Sequence, residues 1–420
     1  MKKLILLILI CICSIPLIHA QGTDSTVTQA FDPAAATLKY LNTLTAAQKA
    51  KSDAYFEGGY WLILWGFLYS LGIAFVFLRL GLSKWIKSIA TKVNNANLQN
   101  LIYGILYFLF AFLLALPLSI YTDYFREHQY GLSNLTFPAW IIEQLKGLGI
   151  ELILGSILLV ILYIAIRRTG QRWWVWGTGI VVLFTALIAF IAPVFLAPVF
   201  NQYKPLADGP LRTQILSMAR ANNIPADNVY EFDASKQSDK ISANVSGFAS
   251  TTRISLNDNL LKRCTPAEIK AVMGHEMGHY VMNHVYKEIM MIAILMFLTF
   301  AIANWAFHKI VNRWGTQLSI TGITDIAGLP LLVVIFTTLS FISTPLNNSM
   351  TRSQEIEADM FGLNAAREPD GFAAVAMKLS EYRKINPGHW EEIFFFDHPS
   401  GRVRVSTAMR WKAENLNDKK

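Results

Sequence analysis

The sequence predicts a mainly α-helical membrane protein of several spans, with a small α+β domain set between them. Three observations predict this class: six apolar runs of membrane-crossing length, a polar block of strand-like segments between the fourth and fifth runs, and an H-E-x-x-H motif closing that block. Of 420 residues, 53% are hydrophobic and 16% charged, which excludes an ordinary soluble protein and a disordered chain. The net charge of +8 could suit a nucleic acid. However, the basic residues form short clusters beside apolar runs, so they read as topology signals and no nucleic-acid partner is expected. Three cysteines exclude a disulfide framework and a Cys-based metal site, and Cys264 reads as structural.

Taken in order, Met1-Lys2-Lys3 and the apolar residues 4–18 precede a passable cleavage site at Ala20. Residues 1–20 read as a signal peptide, or else as an uncleaved first membrane helix. Residues 21–59 are polar and helical after about Ala34. Spans follow at 60–80, 101–121, 148–167 and 173–199, making 60–199 the first membrane block, and at 285–307 and 327–346, the second. Pro193 and Pro198 predict a kink or break late in the fourth span. Lys84, Lys87 and Lys92, then Arg167, Arg168 and Arg172, then Lys309 and Arg313, mark the cytoplasmic connections. The polar blocks 200–284 and 347–412 then lie on the opposite side, which is the periplasm if the chain belongs to a bacterial inner membrane. Residues 413–420 form a polar tail.

The first polar block predicts a helix over 210–222 and strands over 228–233, 241–248 and 253–257. Thr265-Pro266-Ala267-Glu268 is a capping box with proline at the first helical position, so a helix starts there and carries the motif. On that helix His275 and His279 share one face and suit tetrahedral zinc. Glu276 stands beside them, where it can take a proton from water. A third ligand is needed. His284 lies nine residues after His275, about 900° along a continuous helix and half a turn out of phase, so it reads as a supporting residue. Glu355, in Glu355-Ile356-Glu357-Ala358-Asp359, is the better candidate, with Asp359 on the same helical face to orient a ligand histidine. Glu357 points elsewhere. His398, before the last helix, either caps that helix or reaches the site.

These residues and others resemble the type I CAAX prenyl endopeptidases, multi-span zinc metalloproteases, over residues 55–405. The further matching pieces are Leu116-Pro117-Leu118-Ser119 with Phe125-Arg126-Glu127 and Tyr130-Gly131-Leu132, Ile191-Ala192-Pro193 with Pro205-Leu206, Ser242-Ala243-Asn244, and His398-Pro399 with Arg404. The resemblance implies a ring of membrane helices around a chamber, with a gluzincin-like zinc domain facing inward. It implies one zinc ion on His275, His279 and Glu355, Glu276 as general base, and His398 and Arg404 on the oxyanion or substrate. It assigns Asn244 to the backbone of a protein or peptide substrate. Independently, an exposed strand over 241–248 could bind an extended peptide by strand addition. Eukaryotic members have seven spans and a cytosolic catalytic domain, from which the charge pattern of this chain departs. A non-proteolytic metal-containing membrane chamber or transport protein is the rival reading. The intact ligand and base residues oppose it.

Overall fold

The computed structural model describes residues 31–247 and 252–416. The expected signal peptide over 1–20 lies outside them, as does the end of the strand expected over 241–248. A short helix α1 (Pro33–Leu41) precedes α2 (Ala46–Leu78), whose start is a capping box between Thr45 and Gln48. The first span is therefore the inner part of a helix that begins fourteen residues before the apolar run expected at 60. After it come α3 (Leu82–Ala90), α4 (Ala96–Ser119), α5 (Phe137–Thr169) and α6 (Trp173–Ile191). π-helical turns continue α4 over Ile120–Phe125 and α6 over Ala192–Leu196. The second begins at Pro193's predicted break.

Five helical runs among the described residues are long and apolar enough to cross a membrane. The third, Phe137–Phe200, folds back at Gly170, whose φ of 54° favours glycine, so α5 and α6 pack on each other as a hairpin. The run therefore holds two separate helices, where the sequence predicts two spans. The helices then pack in a closed circuit: α2 on α4, α4 on α5, α5 on α6, α6 on α10 (His284–Leu318), α10 on α11 (Leu329–Ala366), and α11 back on α2. Aromatic residues including Phe77, Tyr103, Trp173, Phe300 and Phe307 knit their inner contacts. Cavities of about 290 and 380 Å³ remain between the helices. Large apolar side chains such as Leu183, Ile153 and Trp305 stay uncovered by protein, as lipid-facing residues do.

The polar domain holds β1 (Tyr203–Pro205), α7 (Pro210–Ala221), β2 (Val229–Phe232), β3 (Ala243–Ser246), β4 (Arg253–Asn257), α8 (Asp258–Arg263) and α9 (Pro266–Val281). Its sheet runs β1-β2-β4-β3, with β2 and β4 parallel and both edge strands antiparallel to their neighbours. β1 has three residues and ends in Pro205, too short for an alternation to show in the sequence. Ile215, Val229, Ile254, Leu256 and Leu260 pack the sheet against Ile269, Met273 and Met277 of α9. Three further helices, α12 (Pro369–Leu379), α13 (His389–Phe395) and α14 (Gly401–Leu416), complete the domain.

The boundary expected at 347 falls inside α11, one unbroken helix of 38 residues with Pro345 in its interior. Polarity changes there because the surroundings change from lipid to protein, while helix-forming residues continue. The lower part of α11 lies against α9 with almost nothing between the backbones. A Cβ on Gly362 would stand 2.7 Å from the His275 nitrogen, one on Gly274 2.9 Å from the Gly362 oxygen, and one on Gly278 3.0 Å from the Ala358 Cα. Gly362→Ala is expected to push the two helices apart and cost about 1–3 kcal/mol. Thermal unfolding of the purified variant checks this, and an unchanged Tm would show that the contact has slack.

Candidate active site

The motif helix α9 is anchored at its first turn. Thr265 Oγ1 accepts from the Glu268 nitrogen, Glu268 Oε2 accepts from the Thr265 nitrogen at 2.6 Å, and Lys378 of α12 binds the same carboxylate at 2.8 Å. With that start fixed, His275 and His279 fall on the face turned to α11. Their Nε2 atoms stand 3.1 Å apart. Glu355 Oε2 lies 3.4 Å from Nε2 of His275, and Oε1 lies 3.3 Å from Nε2 of His279. His275 and Glu355 are buried, and one ligand atom from each of the three residues lies within 4.8 Å of the others.

The proton inventory shows what this cluster needs. His275 Nδ1 donates to Asp359 Oδ1 at 2.8 Å. His279 Nδ1 meets His284 Nδ1 at 2.9 Å, and His284 Nε2 meets Glu357 Oε2 at 3.0 Å. A carboxylate can only accept, so His284 carries its proton on Nε2 and accepts from His279 at Nδ1. His275 and His279 therefore both hold their protons on the outer nitrogen and turn lone pairs toward Glu355. Glu355 Oε2 is itself buried with no hydrogen-bond partner. Lone pairs of two imidazoles and a buried carboxylate that face one another are stable only around a cation, and two nitrogens with one oxygen are a donor set for zinc with room for water.

The half-turn offset expected of His284 holds only on a continuous helix, and this helix is not continuous. It ends at Val281, Asn283 takes the left-handed conformation with φ 57°, and His284 opens α10. Asparagine tolerates that conformation, which is the signal the sequence does carry. The break turns His284 back against His279 as a support, and Glu357, expected to point away, completes the chain with Lys287.

Glu276 lies with His275, His398 and Arg404 on a cavity of about 160 Å³. Burial pushes its carboxyl above the ordinary value, against the pull of His275 and His279. His398 Nε2 lies 3.4 Å from Glu355 Oε2, and its Nδ1 lies 2.8 Å from Asp397 Oδ1. Its place is thus at the cluster, while Ser400 Oγ takes the capping position, 3.4 Å from the Val403 nitrogen. Arg404, on the same cavity wall, is paired with Asp359. Its Nε donates to Asp359 Oδ2 at 2.9 Å and its Nη2 to Asp359 Oδ1, so it is a buried holder of Asp359. Asn244 sits on β3 opposite Ser255, with its Oδ1 accepting from Ser246 Oγ at 3.1 Å, and is not drawn into the ligand cluster. Its strand runs beside α9, and Ser242 and Ala243 line the same cavity as Glu276.

Known proteins match this arrangement along most of the chain. Residues 205–412 fit the model of peptidase family M48, and residues 33–202 fit that of the CAAX prenyl protease amino-terminal region of five membrane helices. An uncharacterized metalloprotease of Bacillus subtilis, YhfN, is 31% identical over 351 residues, covering 81% of this chain and 82% of its own. The chain belongs to peptidase family M48. CAAX prenyl protease 1 of Saccharomyces cerevisiae is 25% identical over 84% of this M48 chain and 83% of its own. The crystal structure of Ste24p from S. mikatae superposes with a TM-score of 0.74, at 23% identity, over 90% of this chain and 94% of that one. The fold is thus a chambered ring of membrane helices with a small mixed sheet, and the protein is an integral, multi-pass membrane zinc metalloendopeptidase.

His284→Ala removes the acceptor that fixes His279. Zinc affinity is expected to fall about ten- to hundredfold, read by chelator competition. Unchanged affinity would show that His279 needs no outer partner.

Proposed function

We propose that His275, His279 and Glu355 hold the zinc ion and that Glu276 is the general base of peptide hydrolysis. The observation that carries this reading is the convergence of three lone-pair atoms beside a carboxylate that opens on a cavity. Zinc bound there would supply a Lewis acid that acidifies water and polarises the scissile carbonyl. Glu276 takes the proton of the attacking water on its carboxylate oxygen and delivers it to the leaving amine nitrogen. His398, whose Nδ1 donates to Asp397, can in its imidazolium form also donate from Nε2 to the carbonyl oxygen as negative charge develops. Arg404 and Asp359 act one step back, by holding the ring of His275.

The substrate is a protein or peptide that enters extended. β3 is paired with β4 on one side only among the described residues, so its other edge is available to a peptide backbone. Asn244, in that strand, hydrogen-bonds the same backbone. CAAX processing, carried by the names of several relatives, is the second reading for the substrate.

The catalytic domain lies on the periplasmic side of a bacterial inner membrane. Connections 79–100, 167–172 and 308–328 together hold nine Lys and Arg residues and a single acid, Asp325. The Lys87–Asp325 pair at 2.7 Å and the Arg167–Asn97 contact gather them at one end of the ring. Such an excess supports a cytoplasmic placement of that end.

Glu276→Gln is expected to keep zinc and lose cleavage by about 10²–10⁴-fold, measured with a fluorogenic peptide alongside metal content. Full activity in a zinc-loaded variant would remove Glu276 from the mechanism. A reporter pair fused after Lys420 is expected to give the periplasmic signal, and a cytoplasmic one would reverse the orientation.

A further inference from the structure

Arg383 lines the same cavity as Glu276 and His398. It belongs to the loop between α12 and α13, and that loop is firmly mounted. Buried Ser52 of α2 donates to the Ser380 carbonyl at 2.7 Å and to the Arg383 carbonyl at 3.0 Å. The Arg402 nitrogen donates to the Ile385 carbonyl at 3.0 Å. The other cations nearby are neutralised. Lys384 pairs with Glu57 and Glu391 at 2.6 and 2.7 Å, and Arg404 pairs with Asp359. Of these three side chains, the Arg383 guanidinium alone makes no hydrogen bond or ion pair with any described residue, although it is only partly exposed. Burial and the neighbouring Arg404 push its pKa below the usual guanidinium value, against the pull of Asp397 and Glu355, neither of which bonds to it. Apolar side chains, Val272, Phe372, Val375 and Leu379, form part of the same wall. A cavity near 160 Å³ has the size that takes one ring or branched side chain; a void of roughly 150 Å³ accommodates benzene.

We propose that Arg383 is a carboxylate-reading subsite of the peptidase, selecting substrates that present an anionic group beside an apolar side chain on one side of the scissile bond. This rests on the peptidase reading above. A planar guanidinium held by its backbone, with its donors free, is suited to bidentate pairing with a carboxylate. The carboxylate has two sources: the free carboxy terminus of a short leaving segment, or an Asp or Glu side chain close to the cleavage point. Both place the negative charge within reach of the same fork.

The test uses the full-length, zinc-loaded protein in detergent or nanodiscs. One peptide series varies the leaving segment from one to four residues, each with a free carboxylate or an amide. A second keeps the amide and places Glu or Gln at each position flanking the bond. Wild type is expected to prefer the carboxylate member of one series by about tenfold or more in kcat/KM, and that series names the source. Arg383→Gln is expected to abolish the ratio and Arg383→Lys to restore part of it. Binding of the preferred peptide to zinc-loaded Glu276→Gln, with and without Arg383→Gln, reads the same difference without turnover. Equal cleavage of carboxylate and neutral peptides by wild type would overturn the subsite alone. Cleavage of neither series, with zinc bound, would instead overturn the peptidase reading. A ratio that survives in Arg383→Gln assigns the charge recognition elsewhere.

Discussion

The centre depends on how closely two helices approach. Glu355 reaches His275 and His279 only because Gly274 and Gly278 of α9 meet Ala358 and Gly362 of α11 with no side chain larger than a methyl between them. Backbone contact of this kind has little tolerance. The interior is close-packed, and an added methyl must displace a helix rather than fill a space. The glycines cost α9 some helix propensity. The capping box at Thr265 and Glu268, the proline at its first turn and the apolar packing of Met273 and Met277 offset that cost. α11 carries the constraint onward, since the helix that supplies Glu355 also closes the membrane ring against α2. Assembly of the ring and assembly of the cluster are therefore one event.

Electrostatics then sets each ligand's proton. Asp359 takes the outer proton of His275 and is neutralised by Arg404. Glu357 holds His284, which takes the outer proton of His279, and is neutralised by Lys287. The two supports differ in burial. Asp359 and Arg404 are both enclosed, so removal of either leaves an uncompensated charge in a low-dielectric place, which is far more costly than losing an exposed pair. Glu357 and Lys287 lie open to solvent, and their pairing is screened. Of the two proposed ligands, His275 is consequently the more rigidly fixed, while His279 leans on a histidine whose own partner is solvated.

Much of this is legible in the sequence because it is local. H-E-x-x-H, the capping box and the i, i+4 spacing of Glu355 and Asp359 each follow from the period of one helix. Membrane spans follow from length and polarity alone. What stays hidden depends on tertiary context. His284 is out of phase only on a helix that Asn283 in fact interrupts. Polarity changes at 347, although the helix does not. Nothing in the segment of Arg404 shows that Asp359 stands opposite it. β1 escapes notice because three residues carry no period. Gly362 is ordinary in sequence and matters only through the backbone it meets.

Position inside a ring of helices also limits what can be cut. The proposed substrate enters as an extended segment. In the proposed binding mode, the edge of β3 pairs with the backbone of such a segment. That pairing is indifferent to side-chain identity and supplies affinity without selectivity. In the proposed subsite, selectivity comes from the cavity beside Glu276, where apolar side chains meet one guanidinium without a hydrogen-bonded protein partner. A buried polar group left unpaired by the wrong substrate discriminates more strongly than an apolar wall can. The proposed division of labour is therefore physical: the sheet edge would hold any extended chain, and the charge in the cavity would decide which bond comes to rest at Glu276.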